Sequence, residues 1–177
     1  LSDCALSQPL SAQQVSLNNR PVLEAATRLK PGQFVWAPDA APEGPVLMVV
    51  NLATQRAILF RNGVPIGAST VSSGKKGYDT PTGVFTVLEK KKEHYSKTYN
   101  NAPMPNMQRL TWKGIALHAG NLPGYPASHG CIRLPIQFSS LLFGATKLGM
   151  TVIITSLPVT PGQSATPDLA GPIAPTA

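Results

Sequence analysis

Short apolar segments separated by turn residues constrain the fold of this chain more than any other feature. Residues 46–52, 55–60, 64–73 and 84–89 are rich in Val, Ile, Leu, Thr and Phe, and turn-forming residues separate them. Asn62-Gly63, between the second and third segments, favours a two-residue hairpin turn. This pattern predicts a mainly β fold in which the first three segments form an antiparallel meander.

One helix is predicted near the end of this region, over residues 135–148. Pro135 is suited to a helix start, Leu141, Leu142 and Leu148 recur at helical spacing, and Gly149 follows. Residues 111–118 and 150–155 are predicted as two further strands. Residues 94–110 lack a clear period and are predicted as an irregular segment, which in a compact domain often serves as a lid or binding loop.

The 177-residue chain is long enough for one domain with its own core. We place that domain at residues 46–157. Residues 1–45 form a proline-rich leader, expected to be extended or partly helical with a short helix near residues 21–29. Residues 158–177 are expected to be a proline-rich disordered tail.

The charge of the chain favours an anionic partner. Fifteen Lys and Arg against eight Asp and Glu give a net charge of +7. The sequence has no nucleic-acid-binding motif, so we expect no nucleic acid partner, and contact with an anionic wall polymer is left open. It also has no apolar run long enough for a membrane span.

The first residues leave one anchoring alternative open. The chain begins with Leu1 rather than Met, so we expect that an export signal has been removed. Leu1-Ser-Asp-Cys4 weakly resembles a lipoprotein cleavage site. A lipid anchor at Cys4 is therefore an alternative to an inert cysteine.

Reactive side chains are concentrated between residues 118 and 133, which hold two of the three histidines and one of the two cysteines. A cysteine nucleophile must lose its proton, and a free thiol with a pKa of about 8.5 needs a base or a nearby positive charge for this. Either His118 or His129 could serve as the base for Cys131, because spacing does not decide between them. In an extended chain, His129 and Cys131 would share a face.

Two neighbours of Cys131 suit the same chemistry. The backbone N–H groups around Gly130 could hold the oxyanion of a tetrahedral intermediate. Arg133 could bind a carboxylate with its planar fork and lower the pKa of the thiol. A zinc site made of His118, His129 and Cys131 would need a fourth ligand or an open position, and the sequence offers no second cysteine pair, so we expect no metal.

Two motifs resemble those of a known family. Ser128-His-Gly-Cys-Ile-Arg133, with His118-Ala-Gly upstream, resembles the catalytic motif of the L,D-transpeptidase catalytic domain, or YkuD, family. Tyr78-Asp-Thr-Pro-Thr-Gly-Val-Phe85 is similar to a second element that borders the active site in that family. The resemblance covers residues 46–156.

The resemblance implies a β-sandwich fold with one short helix after the catalytic motif, and a thioester mechanism without cofactor or metal. It implies Cys131 as nucleophile, His118 as proton donor and acceptor, and a backbone role for Gly130 in the oxyanion hole. His129 is a supporting residue, because some members of the family carry Ser there. The substrate-binding candidates are Arg133, Ser128, Thr80, Gly83 and Tyr95.

The implied activity is that of a bacterial cell-wall enzyme of the periplasm or cell envelope. Its substrate is a peptidoglycan tetrapeptide stem, cleaved after diaminopimelate to release D-alanine, and an amine acceptor then completes a 3→3 cross-link. One alternative is an L,D-carboxypeptidase or amidase of the same fold that uses water as acceptor. A second alternative is a non-catalytic wall-binding module. Trp112 is either a core residue or a platform for substrate.

Overall fold

The larger of two sheets is built on a three-stranded meander. In the computed structural model, which describes residues 13–157, β2 (Val46–Asn51), β3 (Arg56–Arg61) and β4 (Val64–Thr70) pair in antiparallel succession. Asn62 and Gly63 form the turn between β3 and β4 with positive φ angles of 54° and 77°, as a two-residue hairpin requires. The predicted meander is confirmed.

Three more strands extend the meander to six. β1 (Phe34–Trp36) pairs antiparallel with β4, β10 (Thr151–Thr155) pairs parallel with β2, and β5 (Gly83–Thr86) pairs antiparallel with β10. The resulting order is β1-β4-β3-β2-β10-β5. The parallel pair is possible because the chain passes through the second sheet and a helix before it returns as β10.

The smaller sheet has four short strands in chain order. They are β6 (Glu89–Lys91), β7 (Met107–Arg109), β8 (Ala116–Ala119) and β9 (Ile132–Leu134), and β8 and β9 run parallel. The helical elements are α1 (Val22–Ala26), a 3₁₀ turn (Pro38–Ala40) and α2 (Ile136–Ala145), which directly follows β9. Within residues 13–157, none of the helices has the length and hydrophobicity that a membrane crossing would require.

A shared apolar core lies between the two sheets and α2. Its buried side chains come from the larger sheet, the smaller sheet and the helix, and include Met48, Leu59, Ile66, Leu117, Ile132, Leu134, Phe138 and Leu142. Burying each such side chain contributes about 1.5–3 kcal/mol to folding. The predicted mainly β sandwich with a short helix after residue 133 is therefore confirmed.

Part of the predicted leader is integrated into this sandwich. α1 packs against β4 through a small apolar cluster that includes Val35 and Ala68. The guanidinium of Arg56 in β3 donates to the carbonyl oxygens of Ala26 and Leu29, which ties the end of α1 to the sheet. The boundary at residue 46 stays a prediction, while the predicted tail and Cys4 lie outside the described residues.

Two predicted boundaries in the smaller sheet are wrong. Residues 107–109, predicted as irregular, form β7, because a three-residue strand is too short to show a period in the sequence. Residues 111–114, predicted as strand, form a turn in which the Gly114 N–H donates to the Thr111 carbonyl. The loop at 92–106, which connects β6 and β7, folds back on itself. The Met104 N–H donates to the His94 carbonyl, and the Asn106 N–H donates to the Lys92 carbonyl.

Candidate active site

The parallel pair β8 and β9 forms the floor of a surface cleft. His118 is in register with Arg133, and Leu117 with Ile132. Residues in register on neighbouring strands point to the same face, and Cys131 lies two positions before Arg133, so all three polar side chains share the cleft face. Strand spacing and rise place the Cα atoms of His118 and Cys131 about 8 Å apart.

His118 is a buried, oriented imidazole. Its side chain is on a strand and the residue is 8% exposed. Its Nδ1 lies 2.7 Å from the carbonyl oxygen of Ala119. Because a carbonyl oxygen only accepts, Nδ1 carries the proton and Nε2 presents a lone pair. Burial lowers the pKa of His118, and the positive charge of Arg133 lowers it further. The hydrogen bond to the Ala119 carbonyl raises the pKa and opposes both effects. The neutral ring is thus suited to accept a proton.

Cys131 is a partly buried thiol directly before β9. It packs against Met104, Met107 and Ala116. Burial raises its pKa, while a hydrogen bond with the Ala116 backbone and the charges of Arg109 and Arg133 oppose this effect. The thiol donates to the carbonyl oxygen of Gly114 at 3.3 Å.

The thiol and the imidazole of His118 form no hydrogen bond with each other in the described part of the chain. Burial favours the neutral form of both groups. Both shifts act against an ion pair of thiolate and imidazolium.

The turn that presents Cys131 is fixed by two buried hydroxyl groups. Ser128 Oγ donates to the Cys131 carbonyl and accepts the N–H of Gly130 at 3.1 Å. Thr80 Oγ1 donates to the Gly130 carbonyl at 2.7 Å and accepts the N–H of Gly74 at 2.9 Å. Gly130 has a φ of 124°, which favours glycine. The second motif of the sequence therefore holds the nucleophile turn in place.

The hydrogen bonds of Gly130, Ser128 and Thr80 bear on their predicted roles, which stay predictions. The Gly130 N–H is already bonded to Ser128, so it is not free to stabilise an oxyanion. The hydroxyls of Ser128 and Thr80 both donate hydrogen bonds within the turn, so they position its backbone. Within residues 13–157, the backbone N–H groups of His129 and Cys131 donate no hydrogen bond, unlike that of Gly130.

Gly83 is also misplaced by the sequence prediction. It begins β5 at the edge of the larger sheet, where it pairs with Ile154, and it does not line the cleft. The strand predicted over residues 84–89 is divided between the two sheets, because β5 ends at Thr86 and β6 begins at Glu89, which lines the cleft.

His129 is held by aromatic side chains at the rim of the cleft. Its ring stacks on Tyr99, with centroids 4.5 Å apart and planes 19° apart. It meets the Tyr78 ring edge-on at 4.8 Å. The expected shared face with Cys131 assumed an extended chain, and the positive φ of Gly130 breaks that geometry. His129 connects the nucleophile turn to the 92–106 loop.

Tyr99 occupies the position in the cleft that the sequence assigned to Tyr95. Tyr95 is exposed, forms a bridge with Pro103 and does not line the cleft, whereas Tyr99 does. The available signal was Asn100-Asn101, whose residues adopt φ angles of 53° and 56°. Such an asparagine pair favours a turn, and that turn returns the loop over the site.

The cleft is strongly basic. Five cationic side chains line it, whereas Glu89 is the acidic side chain that does so among residues 13–157; the cations are Lys91, Lys97, Arg109, Lys113 and Arg133. Arg133 lies on the floor with Nη1 3.4 Å from the Asn121 carbonyl, where it can reach a substrate carboxylate. In residues 13–157, no three or more His, Cys, Asp and Glu side chains are grouped to hold a metal ion.

Comparison with known proteins assigns this chain to a family. The sequence model of the L,D-transpeptidase catalytic domain, YkuD, matches residues 45–154, which is more than half of the chain. This chain belongs to the L,D-transpeptidase catalytic domain family. The match includes β8, β9, α2 and the second motif, and it begins after residues 13–44. A search of curated proteins gave no match.

Solved L,D-transpeptidase structures share the fold. An enzyme from Mycobacterium tuberculosis H37Rv is 24% identical over 63% of this chain and 57% of its own, with a TM-score of 0.60. An L,D-transpeptidase from Stackebrandtia nassauensis is 26% identical over 67% of this chain and 58% of its own, with a TM-score of 0.58. L,D-transpeptidase 3 from Mycobacterium tuberculosis, in complex with a faropenem-derived adduct, is 22% identical over 63% of this chain and 60% of its own. Its TM-score is 0.58. The chain thus spans less than two thirds of the length of each.

Proposed function

We propose that this protein is a peptidoglycan L,D-transpeptidase of the periplasm or cell envelope. It forms 3→3 cross-links through a thioester between Cys131 and the diaminopimelate of a tetrapeptide stem. The observation that carries the proposal is the shared cleft face of Cys131, His118 and Arg133 on β8 and β9, with His118 Nε2 unprotonated. The basic cleft suits a stem peptide that carries carboxylates.

In the acylation half-reaction, the Cys131 thiol leaves the Gly114 carbonyl and transfers its proton to His118 Nε2. Sγ attacks the carbonyl carbon between diaminopimelate and the terminal D-alanine, and a C–S bond forms. The backbone N–H groups of Cys131 and His129 stabilise the oxyanion. The C–N bond then breaks, and His118 returns the proton to the amine of the departing D-alanine.

In the second half-reaction, an amine replaces D-alanine at the same carbon. His118 accepts a proton from the side-chain amine of a second stem's diaminopimelate, and the nitrogen attacks the thioester. The C–S bond breaks and the thiolate recovers its proton from His118. Arg133 binds a stem carboxylate during both steps and keeps the reacting carbonyl over Cys131.

Mass spectrometry after incubation with a tetrapeptide muropeptide tests the proposal. We expect D-alanine release and an acyl adduct on the wild-type protein, and neither with Cys131→Ala. Exposure to a carbapenem or faropenem gives a second assay, since a related enzyme carries a faropenem-derived adduct. If well-folded protein forms no adduct at any pH from about 5 to 9, the enzymatic proposal is wrong, and retained peptidoglycan binding would then identify a wall-binding module.

The products separate transfer to an amine from transfer to water. A cross-linked dimer supports the transpeptidase, whereas tripeptide alone would identify the L,D-carboxypeptidase or amidase alternative. Because both reactions pass through the same thioester, the Cys131 adduct is expected in either case.

A further inference from the structure

Trp112 is an exposed aromatic side chain on a rigid turn at the mouth of the cleft. The residue is 71% exposed, so it is not part of the core. Its turn connects β7 and β8 and is closed by hydrogen bonds from Gly114 N–H to the Thr111 carbonyl and from Ile115 N–H to Thr111 Oγ1. A large apolar ring held in solvent by an ordered turn is a surface available for a ligand.

The indole is supported on one side by a fixed cation. The guanidinium carbon of Arg109 lies 5.7 Å from the centre of the Trp112 ring. Arg109 is itself bonded to Glu89, with 2.8 Å between Nε and Oε1, and its side chain is only 17% exposed. The ring is therefore held in place before a ligand arrives, which lowers the entropic cost of stacking on it.

The position of Trp112 relative to the nucleophile defines which part of a substrate it meets. The Gly114 carbonyl touches Cys131 Sγ at 3.3 Å, and Trp112 lies two residues away on the same turn. Two residues and an indole side chain allow the ring to lie about 10 Å from the sulfur. In the proposed tetrapeptide substrate, three residues separate the sugar from the acylated carbonyl, a span of about 10 Å when extended.

We propose that Trp112 is a carbohydrate platform that binds the amino-sugar to which the stem peptide is attached. The proposal rests on the proposed function and assigns a glycan subsite to the same cleft. The apolar C–H face of a pyranose ring packs on the outer face of the indole. Arg109 and Lys113, which also line the cleft, donate hydrogen bonds to the sugar hydroxyl and acetamido oxygens.

Binding to the acylation-deficient Cys131→Ala protein provides the test. We compare a disaccharide–tetrapeptide with the free tetrapeptide by isothermal titration calorimetry, with and without Trp112→Ala. We expect the disaccharide to tighten binding about three- to tenfold, and Trp112→Ala to abolish this difference while leaving the free peptide unchanged. Trp112→Phe should restore part of the difference. Leu148→Ala, an exposed apolar residue outside the cleft, should leave it intact.

Each failure has a separate meaning. Equal binding of the two ligands, with no effect of Trp112→Ala, would overturn the carbohydrate platform while the proposed function stands. An equal loss for both ligands would overturn it too, since Trp112 would then contact the peptide. If neither ligand binds to folded protein, both the substrate proposed above and its glycan subsite are wrong. Thermal unfolding of each variant confirms that it is folded.

Discussion

His118 and His129 both line the cleft that contains Cys131, and they differ in their burial and in the contacts that hold their rings. His118 is buried on a strand, and its Nδ1 is oriented by one backbone carbonyl. His129 is exposed on a turn and is held by the faces and edges of two tyrosine rings. A general base needs a fixed lone pair, and a strand with a backbone acceptor provides one. Aromatic stacking fixes a ring plane and suits a connection between loops.

The largest effect is expected from removal of His118. His118→Ala should lower the rate of Cys131 acylation by about 10²–10⁴, because no other group in the proposed mechanism takes the thiol proton. Mass spectrometry of the adduct against time measures this rate. A loss no greater than that of His129→Ala would show that the two histidines act together or that the base is misassigned.

A second large effect is expected at the turn that presents Cys131, where Thr80 contacts Gly130. Thr80→Val keeps the side-chain shape but leaves the buried Gly74 N–H and Gly130 carbonyl without their partner. We expect it to lower the free energy of unfolding by about 1–3 kcal/mol and to slow acylation. Thr80→Ser retains the hydroxyl and is the matched control. If the Thr80→Val protein and the wild-type protein unfold at the same denaturant concentration, this role of Thr80 is contradicted.

The burial of Cys131 makes a prediction about pH. Because burial raises the pKa of Cys131, thiolate should form at higher pH than in an unperturbed cysteine. Alkylation by iodoacetamide in a Cys4→Ser protein should therefore increase with pH along a curve shifted to the alkaline side. Arg133→Gln should shift the curve further in that direction, since the charge of Arg133 lowers the pKa. A midpoint below that of a model thiol would indicate an ion pair with His118.

The smallest effect is expected from changes at the exposed histidine, His129, and its partner Tyr99. His129→Ala removes the stacking on Tyr99, which is worth about 0.5–1.5 kcal/mol and corresponds to about a two- to tenfold loss in acylation. Tyr99→Ala should cause a similar loss. The double variant should be no worse than either single variant, because both remove one contact. Additive losses would show that each residue contacts the substrate separately.

The features that the sequence predicted well depend on short-range patterns. Asn62-Gly63 predicted one hairpin, and Pro135 with Leu141 and Leu142 predicted α2. The predicted helix end at Leu148 is wrong, since α2 ends at Ala145. The placement of His118 and Cys131 on one face followed a motif whose residues the parallel pair β8 and β9 brings into register. These features each depend on local spacing or on a recognised motif.

The features that were missed depend on contacts between distant segments. Ser128 and Thr80 resemble exposed polar residues in the sequence, and only their burial beside Gly130 shows that their hydroxyls are used internally. β7 is visible only through its partners on both sides. Tyr99 reaches the cleft through the fold of its loop, which no periodicity predicts.

β1 lies before the residues that match the family model, and it limits where this domain can be truncated. It covers the outer edge of β4 over residues 34–36, and α1 shields the apolar cluster beside it. A fragment that started at residue 45 would retain every reactive group but would leave the backbone donors and acceptors of β4 unpaired. Such an edge recruits strands from other molecules. The smallest unit expected to remain monodisperse therefore begins before α1, upstream of the region that defines the family.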